Sequence, residues 1–362
     1  MKTLLYKLTI LAFLVPFITL GNTKHKGKYT KEKTISKEFN VDADALLKIS
    51  NSYGTIHMTA WDKNTVAIEV VIKSNGDSES KVVERLKQID VNFNNTASMV
   101  SAMTSFNKNQ SKSWRKWNKR NRVNVTVNYT IKFPKGNELN VSNDYGGIFL
   151  DRAENKVSLN CDHGRMEIGQ LLGNDNYLNF DHTNNVTIAY MKGGRINADY
   201  SSFSVKEAEN IELNADHTKS SFEVVSNIEY SCDYNTLQIG QAYNVKGSGD
   251  YLSLRLGIIT GNLDLSADYG SIKIAEMTDD AGDIRIDSEL AGIKIGYQPQ
   301  YYFDFQLDLE NASLKGADGF TMNKKRVESN ESYYEGYHGN GSTRNKILIS
   351  AEYGSIRFIK KQ

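Results

Sequence analysis

Seven Asp-aromatic pairs recur along the chain and contain most of the side chains that could do chemistry. They are Asp144-Tyr145, Asp162-His163, Asp181-His182, Asp199-Tyr200, Asp216-His217, Asp233-Tyr234 and Asp268-Tyr269, with relaxed copies at Ser52-Tyr53 and Glu352-Tyr353. Stacked together, such carboxylates would repel, raise some of one another's pKa values and could hold a cation such as Ca²⁺. His163 and His182 fall in consecutive repeats and by type could bind zinc. Tyr replaces His freely in this column, however, which marks a shape requirement rather than a ligand. A glycosidase or polysaccharide lyase is a second chemistry to weigh. Glycosidases need two carboxylates facing each other, and a repeated Asp supplies many carboxylates but no distinguished pair. No Ser-His-Asp order, phosphate-binding loop or His-Glu-x-x-His motif stands out. The simplest role for each Asp is to cap its own turn. No catalytic residue, cofactor or metal is expected, and a carbohydrate-active enzyme is kept as the alternative.

A second constellation is basic. Lys108, Lys112, Arg115, Lys116, Lys119, Arg120 and Arg122 lie between 107 and 122 with no acid, interleaved with Trp114 and Trp117. Two aromatics among seven cations suit an anionic glycan or a lipid surface. The alternative is a solvated insertion between two strands.

The N-terminus gives the address. Lys2 and Lys7 precede the apolar run Leu8 to Leu20, and small or polar residues follow at Gly21, Asn22 and Thr23. This is the layout of a secretory signal, 1–21, and the run is short for a membrane span. An uncleaved anchor is the alternative. No cysteine stands near the cleavage region, so no lipid anchor is expected. The mature chain should be exported to the periplasm or cell surface. There, acidic glycan, lipid or another envelope protein is a better partner than nucleic acid.

Composition points to strands. Among 362 residues there are 20 Tyr and only 3 Pro, as in chains built of short alternating runs. Net charge is +1 overall and about −1 without the leader. Setting the basic segment apart leaves about −8, so charge is segregated.

The repeat dominates 136–315. With the aromatic as position zero, positions −6 and −4 are apolar in most copies, as in Leu139 and Val141. Position −3 is Ser or Asn in all seven: Ser142, Asn160, Asn179, Asn197, Asn214, Ser231 and Ser266. Position +1 is a turn-former, and +3 and +5 are apolar again, as in Ile148 and Leu150. Successive zero positions from Tyr145 to Tyr234 are 18, 19, 18, 17 and 17 residues apart. The next gap, 35, hides a degenerate copy around Leu252 to Leu263. Apolar residues occupy even offsets before the pair and odd offsets after it. A straight strand alternates strictly and cannot do that, so each pair must sit in a corner that absorbs one residue.

Two architectures fit. In an antiparallel meander the columns have no reason to match. In a β-solenoid of about 18-residue coils, equivalent residues stack as ladders. The solenoid explains the column identity, and an all-β fold of this kind with an N-terminal α/β cap is expected. Cys161 and Cys232 occupy one column four repeats apart. At ~4.8 Å per step they would lie about 19 Å apart, beyond the roughly 7 Å a disulfide allows, so two free buried thiols are expected.

The remaining partition is 22–135 for an N-terminal β unit and cap, and 316–362 for a loop and a closing coil. The cap contains one amphipathic helix near Asp77 to Gln88, where Val82, Val83, Leu86 and Ile89 recur at helical spacing, together with the basic loop. The stretch Lys315 to Lys346, which includes Tyr333 to Gly341, reads as a long loop or irregular hairpin. Function is expected where the repeat is interrupted, at Tyr333 to Gly341 or at Trp114 to Trp117.

Lys48-Ile-Ser-Asn-Ser-Tyr-Gly-Thr-Ile56 with Trp61-Asp62, the strand Val125 to Pro134 and the closing Tyr353-Gly-Ser-Ile356 resemble the putative-adhesin domain family of Gram-negative envelope proteins. The resemblance spans nearly all of the mature chain. It implies a right-handed single-stranded β-solenoid and an exported location, and it supplies no catalytic residues. The expected function is a non-catalytic surface for adhesion, binding or scaffolding.

Overall fold

The computed structural model describes residues 27–107, 123–339 and 344–361. The segment expected as a secretory signal and the basic segment, including Lys112, Trp114, Arg115, Lys116, Trp117, Lys119, Arg120 and Arg122, lie outside the described residues.

The phase change across each corner divides every repeat into a leading strand, before the aromatic, and a trailing strand, after it. Within the repeats, leading strands pair with leading strands. Glu138–Asp144, Val157–Asp162 and Asn176–Asp181 are parallel and in register, Leu139 facing Val157 and Leu159 facing Leu178. The ladder continues through the second halves of Val186–Asp199, Ser202–Asp216, Lys219–Asp233 and Thr236–Asp250, then Leu263–Asp268 and Ile284–Glu289. Trailing strands form a second parallel ladder, from Thr55–Trp61 through Gly147–Ala153 and Arg165–Leu171 to Ser271–Met277 and Gly292–Tyr297. Successive repeats pair in parallel, which excludes the antiparallel meander.

The chain is all-β apart from the helix α1 (Glu79–Lys87). The described strands join in one sheet that is parallel through the repeats and antiparallel at both ends. This mixed pairing departs from a purely parallel stack under an α/β cap. The reason is edge protection, because a parallel stack ends in open N–H and C=O rows. At one end, Tyr29–Asn40 lies antiparallel on Thr65–Gly76, which lies on Asn124–Pro134. At the other, Glu331–His338 and Thr321–Val327 form an antiparallel hairpin on Phe303–Glu310. Of the two forms expected for Lys315 to Lys346, a long loop or an irregular hairpin, the described residues take the hairpin, with a register shift between Met322 and Lys324. Its outer strand is exposed throughout and carries Lys324, Lys325 and Arg326, charges that discourage edge-to-edge association.

Strand order is not chain order. Asn345–Glu352, near the end of the chain, inserts between Ile284–Glu289 and Phe303–Glu310. Ser355–Lys360 likewise lies between Gly292–Tyr297 and Ser313–Lys315. At the other end Leu46–Ser52 sits between Glu138–Asp144 and the later Met99–Phe106.

Inward-facing apolar residues form one core along the whole stack, from Val41 to Phe358. Cys161 and Cys232 are free and buried in it. The register Cys161–Phe180–Ala198–Ala215–Cys232 separates them by four ladder steps. Burial pushes the two thiols up to about 11 and about 12.

Candidate functional site

The corner begins with backbone conformation. Tyr53, Tyr145, His163, His182, Tyr200, His217, Tyr234, Tyr251, Tyr269 and Tyr353 all have φ between 45° and 64°. One left-handed residue per repeat turns the chain and accounts for the one-residue phase change. Its N–H donates to the Asp carbonyl of the neighbouring repeat, as from Tyr145 to Asp162 at 2.9 Å and Tyr200 to Asp216 at 3.0 Å.

The degenerate copy is an eighth full pair, Asp250-Tyr251, with Tyr251 at φ 52°. It divides the 35-residue gap. Its +1 residue is Leu252, which is buried, in place of the polar or Gly turn-former of the other copies.

Holding an L-residue in the left-handed region costs roughly 1–2 kcal/mol. Stacking offsets this. The rings form one continuous pile: Tyr53, Tyr145, His163, His182, Tyr200, His217, Tyr234, Tyr251 and Tyr269. Centroids are 4.7 Å apart at Tyr234–Tyr251 and 5.4 Å at Tyr53–Tyr145. An aromatic pair contributes ~0.5–1.5 kcal/mol beyond area burial, the same order as the strain. Tyr and His exchange because either is flat and fits this spacing. The pile consumes the ring faces and leaves edges and hydroxyls towards solvent, with Tyr145, Tyr200 and Tyr234 more than half exposed.

Asp is not the cap. The turn is capped from position +1 by a buried polar ladder. The Thr183 hydroxyl lies within bonding distance of the Asp181 and Cys161 carbonyls, to one of which it donates, and accepts from the Gly164 N–H. Ser201 Oγ donates to the Asp199 carbonyl and accepts from Thr183 N. Thr218 Oγ1 accepts from Ser201 N at 3.1 Å and lies within bonding distance of the Asp216 and Ala198 carbonyls. Asn235 ends the series. Elsewhere Gly takes the position, because a Cβ on Gly146 would lie 1.7 Å from the Gly54 carbonyl oxygen.

The carboxylates are thereby free to stand on the surface. Asp144, Asp162, Asp181, Asp199, Asp216 and Asp233 are in register one step apart. Asp250 joins by its N–H on Asp233 Oδ1 at 2.9 Å, and Asp268, Glu289, Glu352 and Glu310 extend the column. His182 Nδ1 lies 2.7 Å from Asp181 Oδ1, and His217 Nδ1 lies 2.8 Å from Asp216 Oδ1. Partial burial, then the negative charges of Asp181 and Asp216, hold Asp199 above its ordinary value. Among the described residues, no group of three His, Cys, Asp or Glu side chains is arranged to hold a metal ion.

Two further ladders went unread in the sequence. Asn210, Asn227, Asn244 and Asn262 pass amide hydrogen bonds from rung to rung at the opposite turn. On the trailing face, an open groove of ≈ 930 Å³ is lined by His57, Phe149, Glu167, Thr187, Ser204 and Ser221 among others.

No family model matches the chain, and no curated protein does. Solved structures align over most of it. One is a putative adhesin from Parabacteroides merdae, 10% identical, covering 90% of this chain and 96% of that one with a TM-score of 0.34. Two come from Parabacteroides distasonis. A putative adhesin is 8% identical, covering 92% and 98%, and a putative lipid binding protein is 14% identical, covering 90% and 96%; both have a TM-score of 0.29. No helix among the described residues is long and apolar enough to cross a membrane.

Proposed function

We propose that the chain is an exported, non-catalytic envelope protein of the putative-adhesin kind. In this reading it is a right-handed single-stranded β-solenoid with coils of about 18 residues, and its flanks are a surface for adhesion, binding or scaffolding. The observation that carries the reading is the unbroken aromatic pile, flanked by its carboxylate column. A catalytic centre needs one rung where unlike groups converge. Here neighbouring rungs present the same group, so the surface is periodic and suits a ligand that is itself extended. The basic segment at 108–122 is a second proposed contact, with an anionic glycan or lipid surface.

The test is a binding screen of the mature protein against a glycan array, anionic and neutral vesicles, and bacterial and host cells. A saturable ligand in any arm supports the reading. Failure to bind in every arm, or turnover of a polysaccharide, ends it.

A further inference from the structure

One column on the trailing face changes character along its length. Through the groove it reads His57, Phe149, Glu167, Thr187, Ser204, Ser221 and Gln238, each facing the next across a rung. From Gln238 onwards it continues as Arg255, Lys273, Lys294, Arg357 and Lys315. Five successive rungs thus carry a cation at the same position, and all five side chains are exposed. None makes a salt bridge among the described residues. Four steps of ~4.8 Å give a straight line about 19 Å long.

The leading face handles charge differently. There Arg195 sits 2.7 Å from Glu212 and Lys246 sits 2.9 Å from Glu229, so opposite charges pair across rungs. Like charges directly opposite one another destabilise a sheet, and among the described cations the trailing column alone keeps a run of five. The rows beside it are small or hydroxylic apart from the exposed Ile359. Ser253, Ser271, Gly292, Ser355 and Ser313 lie on the corner side, and Gly257, Ala275 and Gly296 on the other. The nearest acid along these strands, Glu276, accepts a hydrogen bond from the Gln298 side-chain amide. The cations therefore stand along an open track.

We propose that this track binds a linear acidic polysaccharide lying along the stack. Its carboxylates or sulfates sit on Arg255, Lys273, Lys294, Arg357 and Lys315, and its hydroxyls on the neighbouring serines. The rung spacing is close to the length of one sugar in an extended chain, so a uronate polymer carries one anion per rung of its length, within reach of the long Arg and Lys side chains. Duplex nucleic acid winds its phosphates away from a straight row, and a membrane calls for a broad patch rather than single file. The polar groove at Thr187, Ser204, Ser221 and Gln238 continues the track for uncharged sugars. This deepens the binding-surface reading and rests on it.

The test uses the mature chain with polygalacturonate and heparin as probes, dextran as the neutral control, and single-stranded DNA and anionic vesicles as competing anions. Expected are saturable binding of at least one acidic glycan, weakened as salt rises, and no binding of dextran. Replacing all five cations with Ser should reduce affinity at least 100-fold at low salt. Lys273→Glu with Lys294→Glu should do the same. Lys48→Ser with Lys246→Ser, on the leading face, should change it less than threefold. Circular dichroism and melting of each variant separate lost binding from lost folding. If the unfolded fraction of the five-fold variant rises, the Lys273→Gln and Lys294→Gln single variants, each expected to lose about tenfold, decide. Parental affinity in those variants, or tighter binding of DNA or vesicles than of any glycan, overturns the proposal. Binding to cells or neutral glycans alone overturns it while leaving the binding-surface reading standing; no binding to any probe or cell removes both.

Discussion

Tyr200 offers a direct test of how the corners are held. Its φ is 45°, it is 54% exposed, and its ring stacks on His182 at 5.2 Å and His217 at 4.8 Å. Truncation to Ala removes two stacked contacts, ~0.5–1.5 kcal/mol each, and keeps a Cβ in the left-handed region. Loss of about 1–3 kcal/mol is expected. Truncation to Gly removes the same contacts but relieves strain of roughly 1–2 kcal/mol. After allowance for the greater freedom of Gly in the unfolded chain, Tyr200→Gly should be more stable than Tyr200→Ala by about 1 kcal/mol. In an ordinary strand the order is the reverse, by roughly 0.5–1 kcal/mol.

Tyr243 supplies the control. It is 53% exposed and lies within the strand Thr236–Asp250, away from the pile. There Ala should be more stable than Gly. Urea midpoints give the global effect. Because repeat arrays open in parts, amide exchange at the Tyr200 N–H, bonded to Asp216 at 3.0 Å, gives the local one. If Ala equals or exceeds Gly at position 200, left-handed strain does not govern the corner. If both variants match the parent, the aromatic pile contributes nothing to stability.

Four other outcomes are expected. Thr218→Val keeps shape but leaves the buried Ser201 N–H without its acceptor; denaturation should show a loss of about 1–3 kcal/mol, with Thr218→Ser much milder. Asp199 is held above its ordinary value in the fold, so its ionisation opposes folding at neutral pH and protonation relieves that cost. Asp199→Asn should therefore stabilise at pH 7, with the gain fading as pH falls through the raised folded value towards 3.8; a gain equal at pH 7 and pH 3 would refute the electrostatic cause. Burial at His338 acts in the opposite sense, holding the imidazole below 6.5. Stability should then fall as pH drops below 6.5, and His338→Phe should flatten that acid limb. Cys161 and Cys232 should ignore a thiol reagent in the native state and titrate as two free thiols in denaturant; a disulfide on a peptide map would contradict the four-step register.

What was legible in the sequence is what lies within one repeat. Alternation fixes which residues of Leu139 to Leu150 face the core, and the phase flip at Tyr145 locates the corner, because both follow from bonds a few residues long. The capping residue was misassigned for the same reason. Asp is a common turn cap, and only the stacked geometry shows that Thr183, Ser201 and Thr218 reach the neighbouring repeat while Asp faces out. Order between repeats is a different kind of information. Nothing within Asn345–Glu352 says that it enters beside Ile284–Glu289 rather than after Phe303–Glu310, since either neighbour satisfies the same alternation. The cation track depends on that insertion. Arg255, Lys273 and Lys294 are 18 and 21 residues apart, and Lys315 follows them in the chain. In the sheet Arg357 comes between Lys294 and Lys315 and closes the row. Without the inserted strand the row would be four cations on neighbouring rungs. With it there are five, added by the part of the chain that arrives last. The same swap that covers the end of the stack therefore also extends its charged face, and the two roles separate experimentally: Arg357→Ser should shorten the track without loosening the strand, whose hold on the core is Ile356 and Phe358.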